Sequence, residues 1–163
     1  MSKVLTFSRT FPAYHPKAGQ PTYFVEKIAK GLHRQGYPAW DISDNIFSTE
    51  MYYICEPKFH TIRSGNRWKV GDKFSPRVWS GVPYKSKQIT IAPDIEVKKV
   101  WNFNIKKDLT QSVILINGWI LSNKELNLVA KNDGLLGSEL LEWFQYPKPF
   151  SGQIICWNEN INY

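Results

Sequence analysis

The sequence predicts an α+β fold in which short strands of mixed direction curl into a small barrel flanked by helices. Two observations favour this fold: several β-rich runs follow one another in the middle of the chain, and helical patterns lie near both ends. The chain has 163 residues, which is enough for one hydrophobic core and short for two. We therefore expect a single domain over residues 1–163.

The first part of the chain predicts a strand, a loop and a helix. Residues 3–7 (KVLTF) are apolar or β-branched, and a loop with three prolines follows at 11–21. A helix should begin near Pro21-Thr22 and end near Gly31 or Gly36. Its apolar stripe consists of Phe24, Val25, Ile28, Ala29 and Leu32.

Residues 36–57 show no clean hydrophobic period and mix turn residues with large aromatic side chains. We interpret this segment as an insertion that packs on the surface of the domain. Within it, residues 51–55 (MYYIC) fit either a strand or a short helix.

The middle of the chain contains four β-rich runs. They are residues 59–63 (FHTIR), the segment after the Gly71-Asp72 turn, residues 87–92 (KQITIA) and residues 94–105 (DIEVKKVWNFNI). In the last run Ile95 and Val97 share one face, so Glu96 should point away from the core.

The last part predicts two helices and a strand. The first helix lies around residues 122–134, with Ser122 or Asn123 as its N-cap and Gly134 as its stop. The second lies around residues 138–144 with Ser138 as its cap, and residues 150–157 (FSGQIICW) predict a final buried strand.

Charge and motifs narrow the possible functions. The net charge of +7 favours an anionic partner such as RNA or a nucleotide, although an ordinary basic protein has the same balance. The sequence contains no phosphate-binding glycine loop, dinucleotide fingerprint, HExxH or GxSxG motif, which argues against ATPases, dinucleotide enzymes, zincins and serine hydrolases.

The sequence also indicates a compartment. Its two cysteines, Cys55 and Cys156, have no CxxC partner and no nearby cluster of histidines, so we expect no metal site. We also expect no cofactor. Without a long apolar run or a leader segment, we expect a cytoplasmic protein that does not enter a membrane.

Three polar residues form a candidate catalytic set: Lys58, Thr61 and, on a later strand, Glu96. A Lys amine can activate a Thr hydroxyl as a nucleophile, and a carboxylate can hold the Lys or orient a water. In a straight strand positions 58 and 61 face opposite sides, so they share a cleft only if Lys58 lies in the turn before the strand, which Pro57 favours. The alternative is a solvated sheet surface.

Basic and aromatic residues alternate after this set. Arg63, Arg67 and Lys69 could neutralise phosphates, while Trp68 or Trp79 stacks on bases. The alternatives are a solvated sheet edge protected by lysines and, for Trp68, a place in the core. His60 alternates with Thr61, and we expect it on the surface.

The run KFHTIRSGNRWKVGDKF, followed by ITIAPDIEVKKVWNFNI, resembles the ASCH domain of the PUA-like superfamily. The signature of that family combines a Lys-x-x-Thr-x-Arg stretch, a Trp-x-x-Gly-Asp turn and a later strand similar to Ile-Glu-Val. The residues at these places are Lys58, Thr61, Arg63, Trp68, Gly71, Asp72 and Glu96. The opening strand and helix and the closing segments are also similar, so the resemblance covers most of the chain.

The resemblance implies a small β-barrel with a cleft beside it, and a link to RNA binding. One branch of the family hydrolyses the amide of N4-acetylcytidine, which would make Lys58 the base, Thr61 the nucleophile and Glu96 the group that orients or protonates. We favour a module that binds RNA or a modified nucleoside in a basic, aromatic cleft, with the amide hydrolase as the alternative. A protein-interaction adaptor that uses residues 36–57 is a third hypothesis, and the oligomeric state stays open.

Overall fold

The computed structural model describes all 163 residues of the chain. The chain contains four helices and nine strands, so the predicted α+β class is confirmed. It divides into two compact units, Met1–Lys58 with Asp72–Glu96 and Phe59–Gly71 with Val97–Tyr163. A single domain over residues 1–163 stays a prediction.

In chain order the elements are β1 (Lys3–Thr6), α1 (Phe24–Arg34), α2 (Thr49–Ile54), β2 (His60–Ser64), β3 (Lys73–Trp79), β4 (Gln88–Thr90), β5 (Ile95–Glu96), β6 (Lys99–Asp108), β7 (Gln111–Ile116), β8 (Trp119–Ile120), α3 (Asn123–Asn132), α4 (Gly137–Trp143) and β9 (Phe150–Cys156).

The first unit contains a four-stranded sheet with β3 as its central strand. Strand β1 pairs with β3 in parallel, whereas β4 and β5 pair with it in antiparallel. Along β3, Phe74 and Val78 are fully buried, whereas Arg77 and Trp79 at the alternate positions are half-buried. One face of this sheet is therefore apolar, and the other carries Trp79.

Helix α1 forms where the apolar stripe predicts it. Ile28, Ala29 and Leu32 are almost completely buried, as the helical spacing requires. The helix ends at Arg34, and Gly36 follows with a φ of 89°, a conformation that glycine adopts without strain.

Residues 36–57 belong to the first unit and contain the short helix α2. Most of MYYIC is therefore helical, which was one of the two structures that the sequence left open. The indole N–H of Trp40 donates to the carbonyl of Ile91 at 2.8 Å. The hydroxyl of Tyr52 lies 2.8 Å from His33 Nδ1. These side-chain hydrogen bonds fix the segment to α1 and to the loop after β4.

The second unit contains a five-stranded antiparallel sheet with the order β2-β9-β6-β7-β8, together with α3 and α4. Ile154, Ile155 and Cys156 in β9 are fully buried, so the predicted final strand is confirmed. Ser122 caps α3 as predicted: its Oγ accepts the N–H of Glu125, whose carboxylate accepts the N–H of Ser122.

Two features of the second unit differ from the sequence predictions. Ser138 is not the cap of α4, because the helix begins at Gly137 and the Glu139 carboxylate accepts the N–H of Leu136 at 2.7 Å. The hairpin of β7 and β8 was not predicted, and its turn consists of Asn117 and Gly118, both with positive φ.

Strand pairing closes neither sheet into a barrel, so the barrel part of the fold prediction is not confirmed. None of the four helices has the length and apolar composition that crossing a membrane requires.

Candidate functional site

Lys58 lies in the loop between α2 and β2. This is the position before the strand that Pro57 favours. Its side chain is only 1% exposed, and its ammonium lies 4.3 Å from the centre of the Phe24 ring. Its backbone N–H donates to the carbonyl of Lys27 at 2.9 Å. Lys58 is therefore a buried amine of the first unit, fixed against the start of α1.

The other two members of the candidate catalytic set lie on strands. Glu96 in β5 is half-buried and pairs with Lys73, and the complete burial of Ile95 and Val97 confirms the predicted alternation. Thr61 is buried in β2 of the second unit, opposite Ile155. The set is thus divided between the units, and its convergence stays a prediction.

Four of the five predicted ligand-binding residues, Arg63, Arg67, Trp68 and Lys69, belong to the second unit. Arg63 is half-buried on β2, whereas Arg67 and Lys69 are exposed on either side of Trp68. Trp68 itself is 3% exposed, so it occupies the core position that the sequence left open as an alternative to stacking. Base stacking on Trp68 would require its ring to be uncovered first.

The buried side chain of Gln153 fixes residues 65–71, which we call the Trp68 turn, to β9. Its Oε1 accepts the backbone N–H of Trp68 at 3.0 Å, and its Nε2 donates to the carbonyl of Trp68 at 3.2 Å. Arg67 and Lys69 therefore extend from a backbone that is anchored at its centre.

His60 is completely buried, so its predicted position on the surface is wrong. Its Nε2 lies 2.7 Å from the hydroxyl of Tyr163, and its Nδ1 lies 3.3 Å from Asp133 Oδ1. Asn132 also donates to the Tyr163 hydroxyl, and burial raises the pKa of Tyr163. The partners of His60 come from the other end of the chain, which is why strand alternation alone gave the wrong answer.

Trp79, the fifth predicted ligand-binding residue, ends β3 in the first unit. It is half-buried, and its ring centre lies 5.2 Å from that of Tyr84, which is 87% exposed. Hydrogen bonds of Ser86 with Gly81 and Val82 brace the loop between β3 and β4. Trp79 and Tyr84 therefore form an aromatic pair at the end of β3, beside a loop that hydrogen bonds hold in place.

Trp79 lines a cavity of about 340 Å³, which we call the Trp79 cavity. The other lining residues are Phe7, Ser8, Arg9, Thr10, Pro21, Gly81 and Pro83. Aromatic, hydroxyl and guanidinium groups therefore share one concave surface.

A second cavity of about 230 Å³, which we call the Glu26 cavity, lies at the start of α1 and shares Arg9 and Pro21 with the first. Its other lining residues are Tyr23, Phe24, Val25, Glu26, Asp44, Asn45, Ile46, Phe47 and Ser48. Residues 44–48 come from the predicted insertion, so that segment builds one wall. Phe24 lines this cavity, and its ring also contacts the ammonium of Lys58.

Arg9 is half-buried between the two cavities, and sequence reasoning did not identify it. One of its terminal nitrogens donates to the carbonyl of Asn45 at 3.2 Å, and it forms no ion pair with a carboxylate. A guanidinium has five N–H donors, so most of those on Arg9 are available to a ligand. The signal in the sequence was the polar triplet Ser8-Arg9-Thr10 directly after the first strand.

Glu26 is 5% exposed, in the first turn of α1. Its Oε1 accepts the backbone N–H of Ser48 at 2.8 Å, and its Oε2 has no hydrogen-bond partner in the protein. One of its two carboxylate oxygens is therefore available to a hydrogen-bond donor of a ligand.

No group of three or more His, Cys, Asp or Glu side chains in the structure could hold a metal ion. No protein-family model, curated protein or solved structure matches this chain.

Proposed function

We propose that the chain binds single-stranded RNA or a modified nucleoside, with one nucleobase in the Trp79 cavity. The observation that carries the proposal is the presence of Trp79 and Arg9 in one cavity, with most donors of Arg9 unused. An aromatic face and a cation with spare donors are the two groups that nucleic-acid sites combine.

Size and polarity support a nucleoside rather than a purely apolar ligand. Small-molecule sites measure roughly 300–1,000 Å³, and the cavity of about 340 Å³ lies at the lower end of that range. Ser8 and Thr10 add hydroxyl groups that can bind polar edges of a base or a ribose.

Charge around the Trp79 cavity favours a phosphate. Lys85 and Lys87 are exposed on the same hairpin as Trp79 and Tyr84, and the whole chain has a net charge of +7. Arg77, on the same face of β3 as Trp79, is oriented by Ser75 and Gln88. Several cations therefore lie near a stacking surface, as binding of a strand requires.

The proposal includes membership of the ASCH family, and with it the small barrel and the cleft beside the barrel. Its support is the motif from Lys58 to Asp72 together with Glu96, and the α+β class. In this chain Trp79 lines a cavity, whereas Trp68 of the motif is buried.

A fluorescence anisotropy titration of a short labelled oligoribonucleotide at low salt tests the proposal. We expect Arg9→Gln to weaken binding roughly 10- to 100-fold, since hydrogen bonds to charged groups contribute about 1.5–3 kcal/mol. Trp79→Leu should weaken it roughly 5- to 100-fold, because a stacked base contributes about 1–3 kcal/mol.

Arg34→Gln is the matched control, because Arg34 is exposed at the C-terminal end of α1. Its replacement lowers the net charge by the same amount as Arg9→Gln. It should change affinity only slightly. Equal losses of affinity in Arg9→Gln and Arg34→Gln would show that binding depends only on the net charge of the protein. An absence of binding by the parent protein would refute the proposal.

The alternative function is an amide hydrolase that removes the acyl group of a modified nucleobase such as N4-acetylcytidine. The burial of the Lys58 side chain favours it, because a desolvated Lys is the form that serves as a base. Lys58 would take the proton of the Thr61 hydroxyl, whose oxygen attacks the acyl carbon. The C–N bond then breaks, Glu96 assists protonation of the leaving nitrogen, and water releases the acid.

Incubation of the protein with N4-acetylcytidine, followed by chromatography, tests this alternative. Release of cytidine and acetate by the parent protein, abolished in both Lys58→Met and Thr61→Val, would support it. The absence of turnover by the folded parent protein would reject this substrate.

A further inference from the structure

The Glu26 cavity is smaller and chemically different from the Trp79 cavity. At about 230 Å³ it falls below the range of roughly 300–1,000 Å³ for drug-sized ligands, so it fits a group of the size of a base rather than a nucleotide. Tyr23, Phe24 and Phe47 give it aromatic walls. A flat heterocycle is the kind of ligand that such walls accommodate.

The charges of the Glu26 cavity oppose a phosphate inside it. Two carboxylates, Glu26 and Asp44, line it against one guanidinium, that of Arg9. The guanidinium donates to Asn45 instead of pairing with either carboxylate. The cavity therefore favours a neutral ligand that donates hydrogen bonds, while a phosphate is better placed at Arg9, on its border.

Glu26 supplies a defined acceptor for such a ligand. Its Oε1 is fixed by the N–H of Ser48, which orients the carboxylate, and its Oε2 accepts no hydrogen bond from the protein. An N–H donor from a ligand would complete the hydrogen bonding of a side chain that is 5% exposed. An acceptor atom at the same place would be repelled by the carboxylate.

We propose that the Glu26 cavity is a second base subsite, which selects a base with an exocyclic amino group through Glu26 Oε2. The inference rests on the proposed function. Two neighbouring bases of a strand occupy the Trp79 and Glu26 cavities, and the phosphate between them lies on Arg9, which both cavities share. The amino group of cytosine donates to the carboxylate, whereas uracil presents a carbonyl oxygen there.

Titration of the protein with hexacytidylate and hexauridylate tests the subsite, with the ratio of their dissociation constants as the readout. We expect the parent protein to prefer the cytosine strand roughly 5- to 100-fold, the range for one good base-edge contact. Glu26→Gln should reduce the ratio to about one or reverse it. The side-chain carbonyl of Gln can accept the Ser48 N–H, which leaves its amide NH2, a donor, to face the amino group of the ligand.

Glu50→Gln is the control, because Glu50 has the same charge, is exposed and does not line the cavity. It should leave the ratio unchanged. A ratio near one in the parent protein, or the same ratio in Glu26→Gln, would overturn the subsite. If both oligonucleotides still bind and Arg9→Gln weakens the binding of both, the proposed function stands without the Glu26 subsite. If neither oligonucleotide binds, the proposed function and the subsite both fail.

A second measurement does not depend on the folding of the Glu26 variant. In amide spectra of the parent protein, the Ser48 N–H should shift more with hexacytidylate than with hexauridylate, because it bonds to the carboxylate that binds the amino group. Equal shifts would contradict the inference.

Discussion

Segments that are distant along the chain determine the surroundings of His60 and Arg9. The alternation of Glu96 with Ile95 and Val97 was predicted correctly, because it depends only on neighbours along one strand. His60 was predicted wrongly, because Tyr163, 103 positions away, covers it and binds its ring. Arg9 was missed for a similar reason: its importance comes from cavities built by distant segments.

Cys156 carries a prediction about pH. Burial raises the pKa of its thiol from 9.0 to about 11, and both cysteines are reduced thiols in the structure. As the pH rises, the thiol ionises at a lower pH in the unfolded chain than in the folded protein. The buried thiol therefore contributes fully to the free energy of unfolding below about pH 9, and this contribution is lost as the pH rises to about 11. The difference between these values corresponds to roughly 3 kcal/mol.

Urea denaturation at several pH values between 8 and 11 measures this effect. Cys156→Ala should be less stable than the parent protein at pH 8, and its stability should fall less steeply as the pH rises. Parallel curves for the two proteins would contradict the assignment of the alkaline loss to Cys156.

At the scale of elements, segments with a clear apolar pattern were predicted, whereas the structure of α2 was left open and the hairpin of β7 and β8 was missed. Helix α1 and strand β9 have clear apolar patterns, whereas the six residues of α2 are too few to show a period. The hairpin of β7 and β8 could have been found, because Asn117-Gly118 is the turn dipeptide most typical of two-residue hairpins.

The Trp68 turn provides a prediction about an element. Gln153 bonds to both backbone groups of Trp68, so Gln153→Met fills the same volume but leaves a buried N–H and a buried carbonyl without these bonds. We expect a loss of roughly 2–4 kcal/mol in the free energy of unfolding, since each unsatisfied group costs about 1–3 kcal/mol.

Chemical denaturation of the parent protein and of Gln153→Met measures this loss. Gln145→Met is a suitable control, because Gln145 is exposed and its replacement should change stability by less than about 0.5 kcal/mol. Equal stability of Gln153→Met and the parent protein would show that the turn is fixed by other contacts.

At the scale of the whole chain, the predicted α+β class is confirmed, the predicted basic, aromatic cleft stays a prediction, and the two cavities were not predicted. The walls of the two cavities come from four separate stretches, near residues 7–10, 21–26, 44–48 and 79–83. Such convergence depends on tertiary packing, which periodicity and turn residues along one chain do not report. Only Trp79 among the predicted ligand-binding residues lines either cavity.

The indole N–H signals of the seven tryptophans report directly whether a base stacks in the Trp79 cavity. A short single-stranded oligoribonucleotide is titrated into ¹⁵N-labelled protein at low salt, with Trp79 assigned from the spectrum of Trp79→Phe. We expect the Trp79 signal to shift with saturation, while those of Trp68 and Trp157, which are 3% and 1% exposed, stay in place. An unchanged Trp79 signal at oligonucleotide concentrations that shift other residues would rule out stacking in the Trp79 cavity.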